Sequence, residues 1–175
     1  MLFRYCINSP GELATLAQEL DNIHDYLLIQ RYRYGDRFVY QEVIDDESEE
    51  VMNSNLPVMT LQPIIENALV HGINPKIEGG KIVLSVKVLQ NRIQISVEDD
   101  GVGIPEDALK RVRQSLREGN SAAKGCPNTH SIGIAMENVN KRIQFYFGMQ
   151  YGVDIASTQD VGTLVTVTLP RLSIQ

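Results

Sequence analysis

The chain has 175 residues, of which 43% are hydrophobic and 22% charged, so it can bury one sizeable core and we expect one domain with a helical appendage. Its 16 basic and 22 acidic residues give a net charge of −6 without a basic stripe, which argues against nucleic acid as a partner. Two widely separated cysteines and the lack of an apolar run of membrane-spanning length predict a soluble chain in a reducing compartment, with neither a disulfide scaffold nor a zinc site.

The first part of the chain has mainly helical spacing. Ser9-Pro10-Gly11-Glu12 has the form of a capping box, and apolar residues follow at helical intervals, which predicts a long amphipathic helix from Pro10 to Tyr34. A strand is expected from Phe38 to Ile44, followed by an acidic, solvated loop over residues 45–50. A second helix is expected to begin at Pro57 and to end at Gly72.

The second part alternates between strand and helix patterns. The expected elements are a hairpin with strands 82–88 and 93–97, a mobile region Gly101–Ser131 with a short helix near 105–116, a third helix Gly133–Phe147, and closing strands 151–157 and 163–169. Together these elements predict an α/β (α+β) two-layer sandwich, with helices on one side of a mixed, largely antiparallel sheet.

Asp99 is the most informative residue. It keeps the inward parity of the apolar side chains in its strand, so its carboxylate points toward the core and needs a partner. The simpler alternative is a strand-end aspartate that turns into Asp100-Gly101. Gly101 and Gly103 favour a ligand, because glycines allow a flat molecule to approach the backbone. An acceptor-only carboxylate in an apolar slot suits the amino group of adenine and leaves a guanine carbonyl unsatisfied.

Asn67 and His71 lie on the second predicted helix, opposite its buried stripe of Leu61, Ile65 and Leu69. Asn67 would therefore face a cleft rather than the core. The amide oxygen of Asn67 is a suitable ligand for a Mg²⁺ ion that otherwise keeps water and phosphate oxygens. The alternative is that Asn67 and His71 are ordinary solvent-exposed helix residues.

The segment Ser131-Ile132-Gly133 places small residues where a loop enters the third predicted helix. Free backbone N–H groups at such a helix start, together with the helix dipole, are suited to hold phosphate. A plain helix start explains the same pattern. Gly162-Thr163, before the last strand, is typical of a tight turn.

In this order, these four pieces resemble the N box, the two glycine boxes and the closing Gly-Thr of the GHKL ATPase superfamily, whose nucleotide-binding fold is the Bergerat fold. Leu61–Ala68 and Gly133–Ile143 are similar to the versions in LytS/YehU-type sensor histidine kinases. The segment from Glu19 to Arg33 resembles the helix that follows their phosphoacceptor segment. The resemblance implies a helical linker over residues 1–35 and an ATP-binding catalytic domain over residues 36–175.

The resemblance also implies roles for individual residues at the adenine end of the site. Asp99 would read adenine, and Gly101 and Gly103 would form the first glycine box. Thr163 would close the site near the adenine.

At the phosphate end, Asn67 would bind Mg²⁺ and His71 would lie beside the nucleotide. Glu66 is a second-tier catalytic candidate that would orient water or polarise the acceptor. The phosphate-facing end of the lid would consist of Gly133, Asn138 and Arg142.

The implied activity is protein-histidine kinase activity, in which the γ-phosphate of ATP passes to a histidine on an upstream segment of the same or a partner protomer. A response regulator would then receive the phosphate. The parent protein is implied to be a membrane-anchored homodimer with this domain in the cytoplasm. None of the chain's histidines is expected to be the acceptor, because His24 lies in the linker, His71 on the nucleotide-site helix and His130 in the lid.

Two alternatives remain open at the level of sequence. One is another GHKL ATPase, such as an anti-sigma-type serine kinase. The other is a catalytically silent nucleotide-binding module, which is favoured by Val70 in place of the usual lysine and by Ala135 in place of the second lid glycine.

Overall fold

The structure, a computed structural model, describes residues 13–118 and 127–171, apart from the side chains of 127–132. The elements in chain order are β1 (Leu13–Thr15), α1 (Leu16–Tyr34), a 3₁₀ turn (Gly35–Arg37), β2 (Phe38–Ile44), α2 (Glu49–Met52), β3 (Asn55–Pro57), α3 (Gln62–Asn67) continuing into a π-helical segment (Ala68–Ile73), β4 (Gly80–Val88), β5 (Arg92–Asp99), α4 (Glu106–Glu118), α5 (Pro127–Phe147), β6 (Gly152–Thr158) and β7 (Gly162–Pro170).

The main sheet has five strands in the order β2-β4-β5-β7-β6. Strands β2 and β4 run parallel, and the other neighbouring pairs are antiparallel. Alternate residues of each central strand are buried, such as Leu84 on β4 opposite Val97 on β5. Each fully buried Leu, Ile or Val contributes about 1.5–3 kcal/mol relative to an exposed position. The helices cover this one apolar face, which confirms the predicted two-layer sandwich with a mixed, largely antiparallel sheet.

The hairpin and the closing strands were predicted correctly to within a few residues at their ends. Strand β2 has the predicted bounds, and the predicted acidic loop contains the single helical turn α2, which Ser48 caps.

The start of the first helix differs from the prediction. Helix α1 begins at Leu16 rather than Pro10, because Thr15 caps it in a capping box with Gln18. Thr15 Oγ1 accepts a hydrogen bond from Gln18 N at 3.2 Å, and Gln18 Oε1 accepts one from Thr15 N at 3.0 Å. Residues 13–15 are instead drawn into an antiparallel pair with β3. The predicted capping box at residues 9–12 lies outside the described residues.

The second helix also starts and ends later than predicted. Pro57 closes strand β3, and α3 begins at Gln62 with a proline in its first turn. Gly72 does not end the helix, because helical hydrogen bonding continues through the π segment to Ile73. Gly72 is needed there for close packing, since its backbone lies directly against Gly101.

Helix α5 begins at Pro127 rather than Gly133, so the region predicted to be a mobile loop contains two helical stretches in its described part. The predicted helix near 105–116 is confirmed as α4. Residues 119–126, the middle of the predicted lid, lie outside the described residues.

Candidate functional site

A cleft opens between the helices and the sheet, beside the end of β5. Its walls are largely apolar, with a few polar side chains that converge from α3, β5 and β7. The lining residues are Ile64, Asn67, Ala68, His71, Gly72, Val97, Asp99, Gly103, Ile104, Met136, Ile155, Thr163 and Val165. Concave apolar sites with a few placed polar groups are typical of small-ligand binding.

Asp99 supplies the buried acidic group of the cleft. Its side chain is only 6% exposed at the end of β5, as its parity in the strand predicts. Burial raises the pKa of Asp99 to about 6, although backbone N–H groups of Gly101 and Thr163 oppose the rise. Gly101 N donates to Asp99 Oδ1 at 2.9 Å, and Thr163 pairs with Asp99 across the β5–β7 ladder. The carboxylate is therefore held in place and offers acceptor capacity to the cleft.

Backbone packing and conformation explain why residues 101 and 103 are glycines, whereas the sequence pattern suggested the approach of a ligand. A Cβ atom on Gly101 would lie 2.3 Å from the carbonyl carbon of Gly72, and Val102 N donates to Gly72 O at 3.0 Å. Gly103 has a φ of +63°, and a Cβ atom there would lie 2.1 Å from Thr158 O. Gly103 lines the cleft, whereas Gly101 packs behind it.

Asn67 and His71 both line the cleft, as the helical repeat predicts. The Nδ2 atom of Asn67 is buried and has no hydrogen-bond partner among the residues that the structure describes. Burial lowers the pKa of His71, and the nearby charge of Glu66 opposes that change. These two side chains lie where α3 passes into the π-helical segment, a distortion that is frequent at functional sites.

Other predicted site residues do not reach the cleft. Glu66 and Asn138 are exposed and do not line it. Gly133 is buried inside α5, six residues beyond its first residue, rather than at a helix start. Its backbone N–H therefore belongs to the helical hydrogen-bond ladder and is not free for phosphate, which corrects the prediction based on the small residues before it.

Arg142 requires a second correction. Its guanidinium donates to the carbonyl oxygens of Val58 at 2.5 Å and Met59 at 2.7 Å, before the start of α3. Burial lowers the pKa of Arg142, while the charge of Glu19 acts in the opposite direction. The side chain therefore fastens α5 to the segment before α3 and does not line the cleft.

The apolar walls of the cleft were missed at the level of sequence. Ile64, Met136 and Ile155 come from α3, α5 and β6, and only the fold brings them together. The inward parity of Ile155 in its strand was a usable signal. The glycine at position 72, read from the sequence as a helix end, lies against Asp99.

Comparison with known families identifies the class of protein. Residues 54–173 match the family described as histidine kinase-, DNA gyrase B- and HSP90-like ATPases, and residues 1–38 match the family described as histidine kinase. The chain therefore belongs to the histidine kinase-, DNA gyrase B- and HSP90-like ATPase family, which confirms the predicted GHKL resemblance.

Several sensor histidine kinases and related sensor proteins are similar to this chain. The chain is 30% identical over 169 residues to the sensor histidine kinase YesM of Bacillus subtilis, and 35% identical over 146 residues to the sensor histidine kinase YpdA of Escherichia coli. It is 30% identical over 172 residues to the sensor protein LytS of Staphylococcus epidermidis. These matches cover 97%, 83% and 98% of this chain but only 26%, 23% and 27% of the three relatives, respectively. The chain thus spans about a quarter of the length of these relatives.

Solved structures show the same fold. The catalytic domain of histidine kinase ThkA has a TM-score of 0.64 at 13% identity, covering 91% of this chain and 95% of that one. The histidine kinase domain of a blue-light activated kinase from Erythrobacter litoralis has a TM-score of 0.53 at 19% identity, covering 89% of this chain and 61% of that one. Across residues 13–118 and 127–171, no helix is both long and apolar enough to cross a membrane.

Proposed function

We propose that the cleft binds ATP and ADP, and that the parent protein is a protein-histidine kinase that transfers the γ-phosphate of ATP to a histidine upstream of this domain. The single observation that carries the nucleotide assignment is the buried, fixed carboxylate of Asp99 in an otherwise apolar cleft. The chain's membership of an ATPase family supports the same assignment.

Asp99 selects the base. When ionised, its carboxylate only accepts hydrogen bonds, and Gly101 N occupies part of that capacity. The amino group of adenine can donate to the remaining capacity, whereas the carbonyl of guanine would face an acceptor. Leaving a buried polar group unpaired costs about 1–3 kcal/mol, which is enough to discriminate between the two bases. Thr163, on the neighbouring strand β7, closes this end of the cleft.

Asn67 is the residue suited to hold Mg²⁺. Its carboxamide lies in the cleft with an unpartnered, buried nitrogen, so the side chain is not committed to another described residue. Among the described residues there is no cluster of three or more His, Cys, Asp or Glu side chains that could bind a metal unaided. An ion that arrives with nucleotide phosphates needs few protein ligands, and Asn67 fits that requirement. When bound, Mg²⁺ would neutralise phosphate charge.

Transfer would consist mainly of positioning. A nitrogen of the upstream imidazole would attack the γ-phosphorus, a P–N bond would form as the bond to the bridging oxygen breaks, and ADP would leave. Asn67 and His71 would hold the phosphate end of the nucleotide, and the exposed Glu66 would face the incoming acceptor. His71 lines the cleft itself and the exposed His24 lies on α1, so neither is assigned as the acceptor, which the upstream segment would supply.

The parts of the signalling protein beyond this chain are inferred from its relatives. A solved complex contains ThkA together with the response regulator protein TrrA. We infer that a response regulator takes the phosphate here too, that residues 36–175 form the catalytic domain after a linker at 1–35, and that the parent is a membrane-anchored homodimer with this domain in the cytoplasm.

The test of this proposal is phosphotransfer between separate pieces. The chain is incubated with γ-labelled ATP, with and without an upstream segment from the full-length protein that carries the acceptor histidine. Acid-labile, base-stable label on the added segment is expected, slower than in one polypeptide because the tether is missing. The chain alone should remain unlabelled.

Asn67→Ala is the control for the phosphate end of the site, and it should abolish transfer while the domain remains folded. Robust labelling of His24 in the isolated chain would contradict the proposal. Failure to label the added segment when nucleotide binds normally would leave the nucleotide assignment intact but overturn the assigned kinase activity.

A further inference from the structure

Glu19 on α1 is a buried carboxylate, with only 1% of its surface exposed. It accepts hydrogen bonds from three successive backbone N–H groups, those of Met59 at 2.8 Å and of Thr60 and Leu61 at 2.9 Å. These three residues belong to the connection between β3 and α3, which consists of residues 58–61. A carboxylate at this place also interacts favourably with the positive end of the dipole of α3.

The connection has an unusual backbone conformation that fits this carboxylate. Met59 has a φ of +62°, in the left-handed region that non-glycine residues rarely adopt. A left-handed residue within such a segment turns successive N–H groups toward one point and creates an anion-binding concavity. Glu19 occupies that point. Strained conformations of this kind persist only where the surroundings over-determine them.

Arg142 secures the same connection from another element. Its guanidinium, on α5, binds the carbonyl oxygens of Val58 and Met59. The N–H groups of the connection thus bind α1, and its carbonyl groups bind α5. Removing Glu19 would leave the buried N–H groups of Thr60 and Leu61 unsatisfied, which is costly, and removing Arg142 would release partly buried carbonyl groups.

The connection leads directly into the helix that carries Asn67. Leu61 is the N-cap of α3, and Asn67 ends its α-helical part six residues later. The adenine end of the cleft is anchored on β5 through Asp99, and this helix meets it beyond Asn67, where Gly72 of the π-helical segment packs against the carboxylate. A change at Glu19 should therefore displace the phosphate end of the cleft and spare the adenine end.

We propose that Glu19 is a positioning residue, whose carboxylate sets the start of α3 and thereby places Asn67 for the metal-bound phosphates of the nucleotide. The proposal rests on the proposed function, since it assigns Glu19 to the same nucleotide site. It also gives α1 a direct connection to that site, because Glu19 belongs to the helix that links the domain to the upstream segment.

The experiment compares ADP affinity with and without Mg²⁺ in the parent chain and in Glu19→Gln. Glutamine keeps the length of the side chain, but it replaces one acceptor oxygen by a donor that opposes the backbone N–H groups. The Mg²⁺-dependent gain in affinity should fall by about fivefold or more, the lower end of typical coupling between sites. Affinity without Mg²⁺ should stay within about twofold of the parent, as expected when an interaction specific to the metal-bound state is lost.

Asp21→Asn is the matched control, because Asp21 is an exposed acid on the same helix. It should leave both affinities unchanged. Arg142→Lys provides a second variant if Glu19→Gln does not fold. Lysine keeps the charge but cannot bind both carbonyl groups in the same geometry, so a smaller loss of the same selective kind is expected.

The outcomes separate the two proposals. Suppose that the parent binds ADP and that Glu19→Gln lowers the affinities with and without Mg²⁺ equally, or lowers neither of them. The positioning role is then wrong and the nucleotide site stands. If the parent binds no nucleotide under any condition, the proposed function itself is wrong and the role of Glu19 falls with it.

Discussion

The carboxylate of Asp99 lies so close to Gly72 that a Cβ atom at position 72 would be 2.6 Å from Asp99 Oδ1. Two elements distant in sequence, the end of β5 and the π-helical turn after α3, therefore meet at a point where a single methyl group does not fit. The same glycine contacts the backbone of Gly101. The position of the acidic group in the cleft thus depends on the absence of a side chain at Gly72.

Gly72→Ala should lower ADP affinity by tenfold or more, on the order of 1.4 kcal/mol, by displacing the carboxylate. The higher helix propensity of alanine, about 1 kcal/mol, does not relieve this clash. Gly35→Ala is the control, because Gly35 has no atoms near its Cβ position and has a positive φ of +59°. That control should cost stability through backbone strain and leave affinity unchanged. Parent-like calorimetric titration of Gly72→Ala would show that Asp99 does not contact the ligand.

Nucleotide affinity should fall on acidification. Burial raises the pKa of Asp99 to about 6, and the adenine amino group needs the ionised carboxylate as an acceptor. Affinity is therefore expected to be highest above that pKa and to decrease as the pH falls through it. ADP titrations from about pH 5 to pH 8 would measure this profile. Asp99→Asn removes the titrating carboxylate but keeps His71, the other titratable side chain of the cleft. If Asp99 is the source, the decrease in affinity at acidic pH should disappear in that variant.

Asp99→Asn should stabilise the nucleotide-free domain at neutral pH. The pKa of Asp99 is raised by folding, so the protonated form is favoured in the folded state, and its contribution to stability is lost as the pH rises through about 6. The neutral amide retains an acceptor for Gly101 N and avoids the buried charge. A gain of about 1–3 kcal/mol in the free energy of unfolding is expected at pH 7. A loss of stability measured by urea denaturation would contradict the assigned cause of the shift.

Asn140 and Asn138 should differ sharply in their contribution to stability. Asn140 is 4% exposed, and it accepts from Val153 N at 2.9 Å and donates to Leu116 O at 3.0 Å. Asn140→Ala would leave two backbone groups unpaired and should cost about 2–4 kcal/mol. Asn138→Ala changes an exposed residue on the same helix, and it should stay within about 0.5 kcal/mol of the parent. Equal urea midpoints for the two variants would contradict this packing role.

The strand patterns predicted the sheet well because their two-residue period is set by burial on one face. The same parity placed Asp99 inside the cleft, and the helical repeat placed Asn67 and His71 there. Helix starts were predicted less well, since caps compete with each other. The start of α1 is set by the Thr15 cap and by the pairing of β1 with β3. The start of α3 is held by Glu19, which binds Met59 from a position 40 residues earlier in the sequence. Such long-range contacts, like that of Arg142, have no local pattern.

The measurement that tests the central claim most directly is calorimetric titration of ADP and GDP into the parent chain and into Asp99→Asn. The parent should bind ADP in preference to GDP, because the carboxylate accepts from the adenine amino group and offers no donor to guanine. Asp99→Asn should bind ADP at least tenfold more weakly, a difference of about 1.4 kcal/mol, although the variant remains folded. Equal ADP affinity in the parent and the variant would contradict the assignment of the cleft as an adenine site read by Asp99.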